Sequence, residues 1–241
     1  MDRRKFLSGL VGAGMASGLA TSCQWFSPDS EGKSNMFTHG MERRPLGRAG
    51  DKLSIIGFGG IIVKDESTQN AANYVAESVD RGVNYFDVAP AYGNAEEMLG
   101  PALRPYRDQC FLACKTEKRD AVEAQKALDN SLRLLKTDHF DLYQLHAMTK
   151  MEDVEKVLAP GGAMEVFIKA REAGKVRRLG FSAHSEEAAL ALIRQFDFDS
   201  ILFPFNFITW HHNGGFGHSV YEAAAEKKMG LLALKAMAHT P

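Results

Sequence analysis

Asp87, Tyr92, Lys115 and His146 are the residues of this chain best suited to chemistry. Each falls at or just past the end of a segment that reads as a β-strand. They supply a carboxylate, a phenol, an ammonium and an imidazole, all groups able to hold or pass a proton. Further along, Ser182 and His184 end a fifth strand, Asn206 a sixth, and Lys235 lies in a seventh. Taken singly, each has an ordinary use. An Asp at a strand end caps helices, a terminal Lys is a solvated gatekeeper, and a His is commonly a hydrogen-bonded core residue. Asp, Tyr, Lys and His recurring at the ends of successive strands are far less ordinary.

The elements that must hold them alternate strand and helix from residue 42 onward. Leu53–Gly60 reads as the first barrel strand, behind a small hairpin formed by Arg43–Leu46 and Lys52–Ser54. Ser67 or Thr68 caps a helix running to Arg81, where Gly82 stops it. Further strands are expected at 84–89, 110–115, 140–146, 176–183, 201–206 and 231–236, with helices between them. Their starts are spaced by about 29 residues, the size of one βα unit. Such alternation predicts a parallel sheet covered by helices. The glycines at 57–60, GFGG, do not form the dinucleotide fingerprint G-x-G-x-x-G. The expected fold is therefore a (β/α)8 TIM-type barrel, whose chemistry sits at the C-terminal ends of the strands. Alternation puts Lys115 on one face with Phe111 and Ala113, and Cys110, Leu112 and Cys114 on the other. The two cysteines read as buried core thiols.

The chain has 241 residues, 45% apolar and 24% charged, with 29 basic and 30 acidic side chains. This is the composition of a globular protein. A net charge of −1 gives no support to nucleic-acid binding, which needs a basic patch. Residues 1–23 differ from the rest: Arg3, Arg4 and Lys5 precede a mildly apolar run from Phe6 to Ala20 and then small residues. That order is the pattern of a secretory signal. Arg3-Arg4-Lys5-Phe6-Leu7 resembles a twin-arginine export signal, implying the twin-arginine translocase as a partner and a periplasmic destination. Ala20-Thr21-Ser22-Cys23 loosely resembles a lipoprotein cleavage box, with Ala20 departing from the usual Leu, so Cys23 is a candidate lipid anchor. Residues 24–41 read as a linker and 42–241 as the barrel.

Five stretches, RRPLGRAGDKLSIIGFGG, VNYFDVAPAYGNAEEMLG, FLACKT, HFDLYQLH and VRRLGFSAHS, resemble the aldo-keto reductases, in that order. Asp87-x4-Tyr92 followed by Lys115 and His146 is similar to that family's catalytic four. The resemblance implies reduction of an aldehyde or ketone to an alcohol, or the reverse. A nicotinamide cofactor would supply hydride, with NADP(H) favoured over NAD(H). It implies Tyr92 as general acid, since a neighbouring ammonium makes a phenol a better acid. Lys115 would be that ammonium, Asp87 its partner, and His146 a hydrogen-bonding group for the substrate oxygen. It assigns Gly59, Gly60, Ile61, Ser182 and Asn206 to the cofactor. The fifth strand of the family usually carries Ser-Asn, but here Ser182-Ala183 stands there with His184 next. The sixth usually carries Gln four residues before Asn, and here that position is Leu202.

The chain stops just after the seventh strand, so the barrel is expected to be incomplete. The expectation is a fragment that needs at least about 50 further residues to close and folds poorly alone. Two rivals remain at this level. One is a metal-dependent barrel hydrolase using Asp87, His146, His184 and His211. That class normally has H-x-H after the first strand, where this chain has Gly57-Phe58-Gly59-Gly60. Adjacent His211 and His212 would also point opposite ways in a strand. The other is a non-catalytic aldo-keto-reductase-like binding module. The loop from Phe207 to His218, with Trp210, reads equally as an aromatic pocket lining or as a solvated loop.

Overall fold

The computed structural model describes residues 40–211 and 215–236. The export-signal, lipidation and most of the linker readings lie outside the described residues. An antiparallel hairpin comes first, β1 (Arg43–Pro45) on β2 (Lys52–Ser54), with Arg44 opposite Leu53. Its turn passes through Gly50 at φ 76°, a conformation that costs glycine nothing and other residues much.

Seven parallel strands follow: β3 (Phe58–Gly59), β4 (Tyr85–Asp87), β5 (Phe111–Thr116), β6 (Phe140–Met148), β7 (Val176–Ala183), β8 (Ser200–Phe203) and β9 (Gly230–Ala233). Each pairs in parallel with the next in sequence, β3 through β9. The connections carry α1 (Thr68–Asp80), α2 (Ala95–Leu103), α3 (Ala121–Leu134), α4 (Met151–Leu158), α5 (Ala163–Glu172), α6 (Glu186–Gln195), α7 (Phe207–His211) and α8 (His218–Glu226). Sequential parallel order with a helix after nearly every strand is the (β/α)8 plan. The sheet curls as an incomplete barrel of this type, β3 and β9 being its edges among the described residues.

Period-two alternation divides the sheet into two cores. Leu112 and Cys114 join the large core between sheet and helices, while Phe111 and Ala113 face the barrel interior with Tyr85 and Leu142. Leu46 and Leu53 of the hairpin pack into that interior core and close its lower end. Burying each Leu or Phe side chain contributes ~1.5–3 kcal/mol. Cys110 and Cys114 are both buried and free. The helix starts follow their caps: Ser67 accepts from Asn70 N, and Asp120 from Glu123 N at 2.9 Å. Gly82, at φ 89°, follows the end of α1.

Four strands are shorter than expected: those at 84–89 and 231–236 stop at Asp87 and Ala233, which leaves Lys235 beyond its strand, and two others have a visible cause. The stretch Leu53–Gly60 does not run as one strand. Ser54 donates to Ile56 O at 2.7 Å, and its N–H is taken by Asn84 Oδ1 at 2.7 Å. These bonds turn the chain, leaving only Phe58–Gly59 for β3. The sixth barrel strand ends at Phe203, before Pro204, which has no N–H to offer a ladder. Asn206 therefore lies beyond the strand, at the start of α7.

Candidate active site

Alternation along β4, β5 and β6 brings the reactive side chains to the same end of the barrel interior. Asp87 stands opposite Ala113, and Lys115 opposite Gln144. Lys115 is 1% exposed and its ammonium pairs with Asp87 Oδ1. The other carboxylate oxygen, Oδ2, accepts from Tyr85 OH and from Gln144 Nε2, both at 3.1 Å. Tyr92 enters on the turn Pro90–Tyr92 that follows β4. Lys115 Nζ lies 5.2 Å from the centre of its ring. The His146 ring meets Tyr92 edge-on, 5.9 Å between centroids at 89°. The four expected residues thus form one contiguous group.

Its electrostatics follow from burial and neighbours. Burial alone would pull the Lys115 ammonium down. The Asp87 carboxylate, aided by Tyr92, outweighs that and holds the ammonium above its usual range. Burial, then the Asp87 charge, pushes the Tyr85 phenol well up, so Tyr85 stays protonated as a donor. Burial, with Lys115 beside it, pulls His146 down to about 4, so the imidazole is neutral at pH 7. The nearest acid to its Nδ1 is Glu117, at 3.6 Å, too far for a hydrogen bond.

The group lies on a cleft of about 910 Å³, large enough for a small molecule. Gly59, Ile61, Ser182 and His184 line the same cleft. Ile61 is 56% exposed. Gly60 lies behind it, where an added Cβ would come within 2.8 Å of Val88. Ser182 is buried, and its hydroxyl accepts from Ala147 N at 2.8 Å. Leu202 presents an apolar side chain to the cleft.

Asn206 is not brought to this cleft. Its Oδ1 accepts from Thr209 N at 3.0 Å, capping α7, and it borders a separate hollow of about 280 Å³ with Phe205 and Trp210. Trp210 packs on His218, 3.8 Å between ring centres, so the 207–211 stretch is a short helix with a half-buried Trp. Among the described residues no three His, Cys, Asp or Glu side chains gather as metal ligands.

Tyr85 and Gln144 were absent from the expected site. Both were findable, since each lies two residues before a reactive side chain on the same strand, Asp87 and His146, and so shares its face.

The model of the "Aldo/keto reductase family" matches residues 55–240. Aldo-keto reductase YhdN of Bacillus subtilis is 32% identical over 166 residues, covering 61% of this chain and 48% of that protein. The crystal structure of PA4992 from Pseudomonas aeruginosa is similar at a TM-score of 0.74 and 25% identity, covering 86% of this chain and 83% of that one. An aldo-keto reductase from Klebsiella pneumoniae in complex with NADPH shares the fold at a TM-score of 0.67 and 23% identity, over 80% and 67% of the two chains. The chain spans about half the length of the curated relatives it matches. On the family model and the barrel architecture together, the chain belongs to the aldo/keto reductase family.

Proposed function

We propose that the protein is a nicotinamide-dependent oxidoreductase that reduces an aldehyde or ketone to the alcohol, or runs the reverse. The observation that carries this is a buried, charged Lys115 fixed between Asp87 and the Tyr92 ring at the wall of a cleft. Reduction of a carbonyl requires a proton at oxygen as hydride reaches carbon. Tyr92 gives that proton. Lys115 stabilises the phenolate left behind. Asp87, gripped by Tyr85 and Gln144, keeps Lys115 charged and in place. His146, being neutral, donates one hydrogen bond to the carbonyl oxygen without adding charge.

The nicotinamide, when bound, supplies the hydride. The cleft beside Lys115 has room for it, with the open backbone of Gly59 and the hydroxyl of Ser182 on its walls. NADPH in the Klebsiella relative supports NADP(H) as the cofactor. The test is oxidation of NADPH by the protein over a panel of aldehydes and ketones, read by nicotinamide absorbance. Saturable turnover is expected. No turnover with any carbonyl, nor with alcohols and NADP+, would overturn the reading.

Two observations favour a second reading, a non-catalytic binding module: Leu202 stands at a polar family position, and Asn206 is spent on a helix cap. Nicotinamide fluorescence separates the two, because a module without cofactor leaves it unchanged on titration. The proposal extends to export by the twin-arginine route, resting on residues 1–23. A reporter fused after residue 40 should leave the cytoplasm, and Arg3→Lys with Arg4→Lys should stop it. Export that persists in the double variant would count against that route.

A further inference from the structure

His146 sits on a piece of strand that regular pairing does not produce. Leu145 pairs with Phe181, but Met148 pairs with Ala183, so β6 spends one residue more than β7 over this stretch. Ala147 takes φ 54°, a left-handed conformation that its Cβ disfavours. Bulges of this kind re-aim side chains beside active sites. They persist only where the surroundings over-determine them.

The surroundings do so here. Ala147 N donates to Ser182 Oγ at 2.8 Å, and His184 N donates to Met148 O at 3.3 Å. The two remaining carbonyls converge on one side chain. Arg119 Nη2 donates to His146 O at 2.8 Å and lies 3.3 Å from Ala147 O. Arg119 follows β5, and its side chain is 11% exposed. Asp153 Oδ2 pairs with the same nitrogen at 3.3 Å, and the Arg119 carbonyl accepts from Ala163 N at 2.9 Å. Its other terminal nitrogen, Nη1, is buried with no partner among the described residues. A guanidinium is thus drawn out of water and left partly unsatisfied at the one place where the backbone of His146 bends. Nothing in the carbonyl chemistry itself uses it.

We infer that Arg119 is a positioning residue: it clamps the 146–148 bulge so that the His146 imidazole stays edge-on to Tyr92 at the cleft. The inference rests on the reading that His146 contacts the reacting oxygen. It predicts that Arg119 acts through His146 and through nothing else in the reaction.

A double-mutant cycle in kcat tests this. Arg119→Ala should lower kcat by roughly tenfold to a hundredfold, the loss expected of a misplacement near 1 Å. NADPH affinity should stay within about twofold, because no cofactor contact is assigned to Arg119. In the His146→Ala background the same change should cost less than about twofold, since no imidazole remains to be aimed. Losses that multiply would overturn the inference, and so would an Arg119→Ala variant with wild-type kcat. If Arg119→Ala does not fold, Asp153→Asn takes its place, keeping the guanidinium but removing its carboxylate. It should show a smaller loss with the same non-additivity.

Failure of the reductase reading is separable. Should the wild type turn over no carbonyl, the His146 imidazole resonances by NMR still report the clamp. They should move in Asp153→Asn while those of His218, on α8, stay fixed. Unchanged His146 resonances would overturn the inference regardless of activity.

Discussion

On the β4–β6 side of the cleft the polar side chains grip one another; on the β7–β9 side Ser182 is taken up by the backbone, and His184 and Lys235 line the cleft apart from that network. Lys115, Tyr85 and Gln144 all donate to the Asp87 carboxylate inside the barrel, and Tyr92 and His146 lean on that cluster. Across the cleft Ser182 serves the bulge of β6 and Leu202 brings no polar group, while Asn206, outside the cleft, caps α7. In the proposed reaction the first side handles the proton, and its members should fail together. The second is a wall where Ser182 supports local structure, so changing it should disturb stability more than ligand binding.

Lys115→Met should break the first side most severely. It leaves the Asp87 carboxylate buried with only two neutral donors. Removing one partner of a buried pair typically costs about 3–5 kcal/mol, read by chemical denaturation. A loss below about 1 kcal/mol would mean that water already screens the pair and that the two sides do not differ as described.

The neutral state of His146 gives the comparison a pH signature. Its folded value lies near 4, below the ordinary histidine value. The unfolded chain therefore binds the proton first as pH falls. The contribution of neutral His146 to stability is complete above about pH 6.5 and is lost progressively as pH drops toward 4. Wild type and His146→Gln, compared by thermal melts, should keep a constant difference above pH 6.5 and converge on acidification. A difference that stays constant down to pH 4 would contradict the burial of a neutral imidazole.

Tyr85→Phe sharpens the account of Asp87. It removes one hydrogen bond to a charged group, worth about 1.5–3 kcal/mol, and loosens the carboxylate that holds Lys115. Stability and kcat should fall together, with the Gln144→Leu loss of the same order. The smallest effect belongs to Asn206, beyond the β8 end and outside the cleft. Asn206→Ala should cost about 1 kcal/mol as a lost cap. NADPH affinity should stay within about twofold; a tenfold weakening by fluorescence titration would return Asn206 to the cofactor site.

Much of the first side was legible in the sequence because strand alternation is a local rule. Phe111, Ala113 and Lys115 on one face, with Leu112 and Cys114 on the other, needed only period two. The hairpin was legible from its glycines, and α1 from Ser67 and Gly82. What escaped was decided by bonds between distant residues. The first barrel strand shrank to Phe58–Gly59 because Ser54 bonds Asn84, 30 positions away. Asn206 left its strand because β8 ends at Phe203 and the side chain found Thr209 instead. The bulge at Ala147 depends on Arg119 and Ser182, 28 and 35 positions off, and no local pattern announces it.

The central claim is that Tyr92 delivers the proton, so the direct measurement is kcat of Tyr92→Phe with a carbonyl substrate and saturating NADPH. The account predicts a fall of about 10²–10⁴-fold with cofactor affinity unchanged, since the phenol hydroxyl acts on the reacting oxygen alone. A variant that keeps more than about a tenth of wild-type kcat would contradict it.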